Sequence, residues 1–191
     1  LQQGVVRVLH SLSLIDDPTR ILRAVRYEQR LRFAIEPRTA ELLADGLPML
    51  DRVTGDRIRH ELELAFREQT PTAVMARLWQ LGVMAHIHPA LRWEAAMADA
   101  FNRVPRVLAD PAWRAALPDE TPAFLYFALW ILPLEPAEQT VVMSRLRVRK
   151  ATRDDVAAAA RLLDVLAGLP AEARRSEMAF ALRPFLPRVL L

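Results

Sequence analysis

The sequence contains no cysteine, and Lys150 is its only lysine. Without cysteine, the chain cannot form disulfides, zinc–thiolate sites or thiol nucleophiles. The most apolar stretch, residues 123–134, is too short to span a bilayer and contains Pro133. The first residues also lack the basic and apolar segments of a secretory signal. These absences favour a cytoplasmic setting with no membrane partner.

Because lysine is nearly absent, arginine carries almost all of the positive charge, and the net charge is +3. Arginine is a planar fork that fits phosphates and base edges, so this usage is compatible with binding to nucleic acid. A coding bias toward arginine would produce the same composition. The positions of the arginines must therefore decide between the two explanations.

Helix-start signals recur along the chain, and its 52% hydrophobic content is ample for a packed core. Proline is tolerated at the first helical position, and an Asp or Thr before it can cap the helix. Helices are predicted near residues 17–31, 38–45, 55–68, 71–81, 92–109, 111–117, 121–131, 136–145, 152–167 and 174–186. The β-branched run at residues 5–9 could be a strand or a hinge. The sequence therefore predicts an all-α fold of many helices.

The first predicted long helix carries a stripe of arginines. At about 100° per residue, Arg23, Arg26 and Arg30 share one face and Arg20 lies beside them at the first turn. A solvated helix face would have the same pattern. However, the neighbouring sequence has no acidic run to balance the stripe. The stripe also begins at a helix N-terminus, where the backbone N–H groups and the helix dipole favour anions.

Asp17 and Arg20 lie one helical turn apart at the start of this helix. Asp17 could simply cap the helix, which is the commoner role of an Asp before proline. A carboxylate nevertheless has acceptor capacity to spare, and Arg20 would add a forked donor beside it. Adenine and cytosine present an amino donor beside a ring-nitrogen acceptor, whereas guanine and uracil present the reverse order. An Asp/Arg pair therefore suits A and C.

Several segments in the first ninety residues resemble class II tRNA nucleotidyltransferases and bacterial poly(A) polymerases. The segments that carry the resemblance are residues 4–10, 16–27, 31–35, 53–62 and 81–83, in that order. Beyond them, the second half of the chain is similar only in being helical. The resemblance implies three regions: a linker from an absent catalytic head at residues 1–10, a neck domain at 11–88 and a helical body domain at 89–191.

The resemblance also implies roles for particular residues. Asp16-Asp17-x-x-Arg20 stands where the family has Glu-Asp-x-x-Arg, whose second acidic residue and Arg form a protein template for the incoming base. Asp17, Arg20 and Arg23 are thus expected to contact the nucleotide. Asp56-Arg57 replaces the more usual Glu-Arg of a later motif, which in the family braces the template helix.

In the family, a preceding head domain carries a Gly-Ser turn and an Asp-x-Asp pair that holds magnesium ions. No Asp-x-Asp occurs in this sequence. Because phosphoryl transfer needs metal ions to neutralise developing charge, we expect no metal site and no catalytic residue in this chain. It is expected to be an inactive piece of a longer enzyme, with Mg²⁺ held by the head.

Contacts with RNA are predicted for two basic groups. The first is the helix stripe at Arg26 and Arg30. The second is a dense cluster that a solvated basic turn would explain equally well, and it consists of Arg145, Arg147, Arg149 and Lys150. His86 and His88 could bind metal as a pair, but a structural role is favoured because no third ligand is evident nearby.

The leading hypothesis is the nucleobase-selecting and RNA-binding part of a template-independent RNA 3′-end nucleotidyltransferase. It would use ATP, and perhaps CTP, and hold the 3′ end of a tRNA to add A or CCA. One alternative is the corresponding region of a poly(A) polymerase acting on general RNA 3′ ends. Another is a non-catalytic helical RNA-binding module, which binding of free ATP would distinguish from the enzymes.

Overall fold

The fold was analysed in a computed structural model that describes residues 3–111, 121–170 and 172–190. The prediction of an all-α architecture is confirmed. The only strands in these ranges are β1 (Val5–Val6) and β2 (Ala34–Ile35). The α-helices are α1 (Ser13–Asp16), α2 (Thr19–Leu31), α3 (Pro37–Gly46), α4 (Gly55–Phe66), α5 (Pro71–Gln80), α6 (Val83–Ile87), α7 (Ala95–Leu108), α8 (Thr121–Ile131), α9 (Pro136–Arg145), α10 (Lys150–Gly168) and α11 (Arg175–Leu182). Two 3₁₀ turns occupy Leu47–Arg52 and Pro187–Val189.

Local start signals explain most of these boundaries. Prolines occupy the first position of α3, α5 and α9, as predicted. At the start of α9, the Glu138 carboxylate also accepts the backbone N–H of Glu135 at 3.1 Å, which satisfies a donor that lacks a helical partner. Helices α1 and α6 and the 3₁₀ turn at Leu47–Arg52 were not predicted. Most of the predicted helix at 111–117 lies outside the described residues.

The two short strands fix the entry of the chain onto α2. Val5 pairs with Ala34 and Val6 with Ile35 in a parallel ladder, so the run at residues 5–9 does begin with a strand. Between α2 and β2 the chain reverses at Arg32, whose φ of 54° lies in the left-handed region. The ladder thereby attaches the segment before α1 to the end of α2.

One continuous hydrophobic core joins the helices from α1 to α10. Trp130 is completely buried in it. Phe66 stacks on Tyr126, and Phe101 contacts the Phe66 ring edge-on and the Tyr126 ring at a tilt. Because helices on both sides of residue 88 contribute to this core, the division into neck and body stays a prediction. No residue of α11 is buried. None of the described helices combines the length and apolar character needed to cross a membrane.

Candidate nucleotide-binding site

The Asp17 carboxylate is held in place through one of its two oxygens. Oδ1 accepts the backbone N–H of Thr19 at 3.2 Å and the Thr19 hydroxyl at 2.6 Å. It also accepts a charge-assisted hydrogen bond from the Arg57 guanidinium on α4, at 2.7 Å. Three donors from two helices thus fix the orientation of this side chain. The contact from Arg57 is the brace that the resemblance implied.

The second oxygen of Asp17 is available to a partner. Among the described residues none donates a hydrogen bond to Oδ2, and the Arg20 Nε lies 3.9 Å away, too far for one. Arg20 also donates to the backbone carbonyl of Ser13 at 3.3 Å, which holds the guanidinium near the carboxylate. An acceptor and a forked donor therefore stand side by side at the start of α2, and neither satisfies the other.

The Asp17 carboxyl is ionised over a wide pH range. Partial burial raises its pKa, but the hydrogen bonds from Thr19 and the charge and hydrogen bond of Arg57 outweigh this effect. The net result is a pKa below the ordinary value of 3.8. At neutral pH the side chain is accordingly an acceptor only, as the proposed reading of an amino group requires.

A cleft of about 280 Å³ opens beside Asp17, between α2 and α4. Arg23 lines it and has no acidic partner in the described part of the chain, so this predicted residue does lie next to Asp17. Sequence reasoning missed two further residues of the cleft, His60 and Glu61 on α4. They follow Arg57 by three and four residues, which is the spacing that places side chains on one helix face.

The arginine stripe has acidic partners beyond its first turns. The buried Arg26 lies 3.1 Å from Glu68 and 3.5 Å from Glu61. Arg30 makes a bidentate contact to Glu68 with both distances at 2.7 Å, and these hydrogen bonds raise its pKa. The neighbouring sequence has no acidic run to balance the stripe, but at this end the fold supplies acidic partners from elsewhere in the chain. Glu61 and Glu68 are distant in sequence, so a local reading could not detect them.

The basic cluster near residue 147 is also partly occupied. Arg145 donates to the backbone carbonyls of Leu50 and Val53, each at 2.9 Å. Arg147 pairs with Asp56 at 3.2 Å, and Lys150 pairs with Asp154 at 2.6 Å on an exposed surface.

Arg149 differs from the rest of this cluster because its side chain has neither a carboxylate nor a backbone carbonyl partner in the described ranges. The structure thus assigns Arg145 a contact within the fold. Contact with RNA stays a prediction for the basic cluster.

Within the described ranges, His86 and His88 belong to no group of potential metal ligands. His88 Nδ1 accepts the backbone N–H of Ala90 at 3.2 Å, which is a structural contact within a turn. Across the ranges that the structure describes, no three His, Asp or Glu side chains converge as metal ligands.

Comparison with known proteins gives matches in both sequence and fold. Residues 32–94 match the family described as the probable RNA and SrmB-binding site of polymerase A. An A-adding tRNA nucleotidyltransferase of Geobacter sulfurreducens is 44% identical over 93 residues, which cover 48% of this chain and 11% of that protein. The chain thus aligns with only a small part of this relative.

Two solved structures match almost the whole chain. An apo form of a CCA-adding enzyme is 27% identical with a TM-score of 0.80, covering 99% of this chain and 45% of that one. The CCA-adding enzyme of Thermotoga maritima complexed with tRNA is 28% identical with a TM-score of 0.74, covering 99% of this chain and 46% of that one. The chain spans less than half the length of each. These matches confirm the resemblance inferred from the sequence, and they extend it to the second half of the chain.

Proposed function

We propose that the chain is the helical neck and body region of a class II tRNA nucleotidyltransferase, and that it selects the incoming nucleotide for such an enzyme. In this proposal it also holds the 3′ end of the RNA, which is a tRNA. The chemistry takes place on a catalytic head outside this chain. Magnesium ions held by that head would supply the charge neutralisation that nucleotidyl transfer requires. The setting of such an enzyme is the cytoplasm.

The single observation that carries this proposal is the half-occupied carboxylate of Asp17. One oxygen is immobilised by Thr19 and Arg57, and the other lies 3.9 Å from the Arg20 Nε with no hydrogen bond from a described residue. A fixed acceptor next to a donor that already contacts the fold is an arrangement that can read a base edge. It avoids the entropic cost of ordering side chains when the base binds.

The geometry favours ATP and CTP over GTP and UTP. Oδ2 of Asp17 would accept the exocyclic amino group of adenine or cytosine, while Arg20 would donate to the neighbouring ring nitrogen. Guanine and uracil would place a carbonyl against the carboxylate and an N–H against the guanidinium. Both contacts would then be repulsive or unmade, and leaving buried polar groups unpaired is costly. Arg23, in the same cleft, would face the negative charge of the nucleotide.

The proposed RNA contacts are concentrated at the residues without strong internal partners. Arg26, Arg30 and Arg145 are engaged by carboxylates or carbonyls of the fold. Among the residues that the structure describes, Arg149 has no such partner, and the side chains of Arg147 and Lys150 are largely exposed in their ion pairs. We therefore propose Arg149 as the main phosphate contact of this cluster, assisted by the other two.

Nucleotide choice tests the proposal directly, with the chain joined to a class II catalytic head. Asp17→Asn and Arg20→Ala should each narrow the preference for ATP over GTP by about 1–3 kcal/mol, the discrimination expected of a bidentate base contact. The measurement is the ratio of kcat/KM values for the two nucleotides. Asp45→Asn and Arg38→Ala change exposed residues outside the cleft and serve as matched controls. Unchanged preference in both folded site variants would disprove the template role.

Arg57 provides a second test, because it is proposed to act only by positioning Asp17. Arg57→Gln should reduce the preference for ATP on its own and add little to Asp17→Asn in the double variant. Residues that act through one another show this non-additivity. Fully additive losses would indicate that Arg57 contacts the nucleotide independently.

A further inference from the structure

A second cavity lies on the other side of α4 from the Asp17 cleft. Its volume is about 380 Å³, within the range of small-ligand sites. Three elements enclose it: α4, α8 and the turn that leads from α9 into α10. The residues that matter for its chemistry are Phe66, Arg67, Phe124, Phe127, Arg149 and Thr152.

The cavity combines an aromatic floor with a positive rim. Phe66 and Phe127 are buried, whereas Phe124 is only partly buried and also lines the cavity. On the rim, Arg67 and Arg149 are exposed and lack acidic partners within residues 3–111, 121–170 and 172–190. The one carboxylate in the lining, Glu63, is already paired with Arg59 at 3.3 Å. The site therefore favours a ligand that is flat, apolar on its faces and anionic.

The two sites lie on opposite faces of the same helix. At 100° per residue, Phe66 is about 180° around α4 from Arg57. Arg57, His60 and Glu61 line the Asp17 cleft, while Arg59, Leu62 and Phe66 line the second cavity. The helix thus separates a base-reading cleft from an aromatic and basic cavity by about one helix diameter, roughly 10–12 Å.

We propose that the second cavity binds one nucleotide of the RNA strand whose 3′ end reaches the Asp17 cleft. The base would stack on Phe124, and the phosphates on either side would contact Arg67 and Arg149. This inference rests on the proposed function, because it takes RNA to be the substrate. The family match at residues 32–94 includes α4 but neither α8 nor the turn before α10, which form the other walls.

The separation of the sites sets which nucleotide is bound. A stacked strand advances about 3.4 Å per nucleotide, so a stacked strand that crosses one helix diameter spans about three nucleotides. The cavity would accordingly hold a nucleotide about three positions from the 3′ end. The 3′-terminal nucleotide itself would lie at the Asp17 cleft and could not extend to the second cavity.

The test is binding of the full chain to a tRNA transcript lacking its 3′-terminal A, over a range of salt concentrations. The Arg67→Gln/Arg149→Gln variant should lower the slope of log affinity against log salt by about 1.4, at about 0.7 per single-strand phosphate contact. Phe124→Leu keeps an apolar side chain but removes the ring, and it should weaken binding about tenfold without changing the slope. Arg106→Gln removes an exposed arginine of α7 and should do neither.

Methyl NMR of the same chain locates the contact. Adding the tRNA should shift the methyl resonances of Leu146 and Val148, which line the cavity, and the double arginine variant should lose these shifts. ATP alone should leave them unchanged. If ATP shifts them, the cavity is a mononucleotide site and the assignment to RNA is wrong.

The remaining outcomes separate the two proposals. If all three cavity substitutions leave the tRNA affinity and its salt slope unchanged, this inference is overturned and the proposed function stays intact. Absence of any tRNA binding by the folded chain would overturn both. Circular dichroism of each variant establishes that the chain has folded. Because Arg67 and Arg149 are exposed, their substitution should not unfold the chain, so a smaller salt slope would reflect lost phosphate contacts.

Discussion

The two ends of α2 carry the same type of side chain but use it differently. At the C-terminal end, Arg26 and Arg30 are bound by Glu61 and Glu68, and Glu28 is held by Arg77 at 2.8 Å. At the N-terminal end, Arg20 and Arg23 have no close carboxylate partner in the described part of the chain apart from Asp17, whose Oδ2 accepts no hydrogen bond there. One end of the helix is fastened to the fold, and the other faces a cleft.

This difference shows that arginine density does not map a nucleic-acid interface. The arginines of the stripe look equivalent on a helical projection, and only partners from α4 and the residues after it distinguish them. Arginines with buried acidic partners maintain the position of α2. Those without such partners are the ones that a ligand can recruit.

Removing the acid that fastens α2 should give the largest effect. The Glu68 side chain is only 4% exposed and contacts both Arg26 and Arg30. Glu68→Ala leaves the buried Arg26 with Glu61 alone, so unfolding in urea should require about 3–5 kcal/mol less free energy. The control is Glu41→Ala, which breaks an exposed pair with Arg38 and should cost at most about 1 kcal/mol. Equal losses for both variants would refute the distinction between fastened and exposed pairs.

A smaller loss of stability is expected from a substitution at the start of α4, the helix whose Arg57 contacts Asp17 beside the N-terminal end of α2. A Cβ atom at Gly55 would overlap the backbone carbonyl of Arg145. Gly55→Ala should therefore force the turn after α9 away and cost about 1–3 kcal/mol of stability. Gly168 has nothing within 4 Å of a Cβ position, so Gly168→Ala in α10 should be neutral or slightly stabilising. A harmless Gly55→Ala, in a thermal melt, would mean that the turn does not lie against α4.

The smallest effect concerns the ionisation of Asp17. Its pKa in the folded chain is below the ordinary 3.8, so its ionised form stabilises the fold fully above about pH 4. That contribution is lost as the pH falls through the folded pKa. The stability difference between the wild type and Asp17→Asn should be constant near neutrality and shrink below pH 4. A difference that grows on acidification would contradict the anchoring by Thr19 and Arg57.

The helices were predictable because their signals are local. Pro37, Pro71 and Pro136 mark helix starts within the sequence itself, and the all-α class followed from such signals. Helices α1 and α6 were missed because four or five residues are too few to show a helical period. The boundary after residue 88 stays a prediction, and helices on both sides of it share one hydrophobic core.

The site was predictable only in part, for a related reason. Asp17 and Arg20 are one turn apart, so the donor and acceptor could be paired from the sequence. The occupation of Arg26 and Arg30 depends on Glu68, which is 42 residues from Arg26. The second cavity has walls from three separate segments, and no single stretch of sequence signals it. Local sequence patterns do not show which distant residues tertiary packing brings together.

The contacts of α4 also imply an order of assembly. The bond from Arg57 to Asp17 closes 40 residues of chain, whereas the bond from Arg59 to Leu146 closes 87. The entropic cost of closing a loop grows with its length, and a nascent chain emerges from its N-terminus. During synthesis, the contact between Arg57 and Asp17 can therefore form long before the turn after α9 has been made. The contacts on the opposite face of α4 can form only after that turn has been synthesised. The two faces of one helix therefore acquire their contacts at different times.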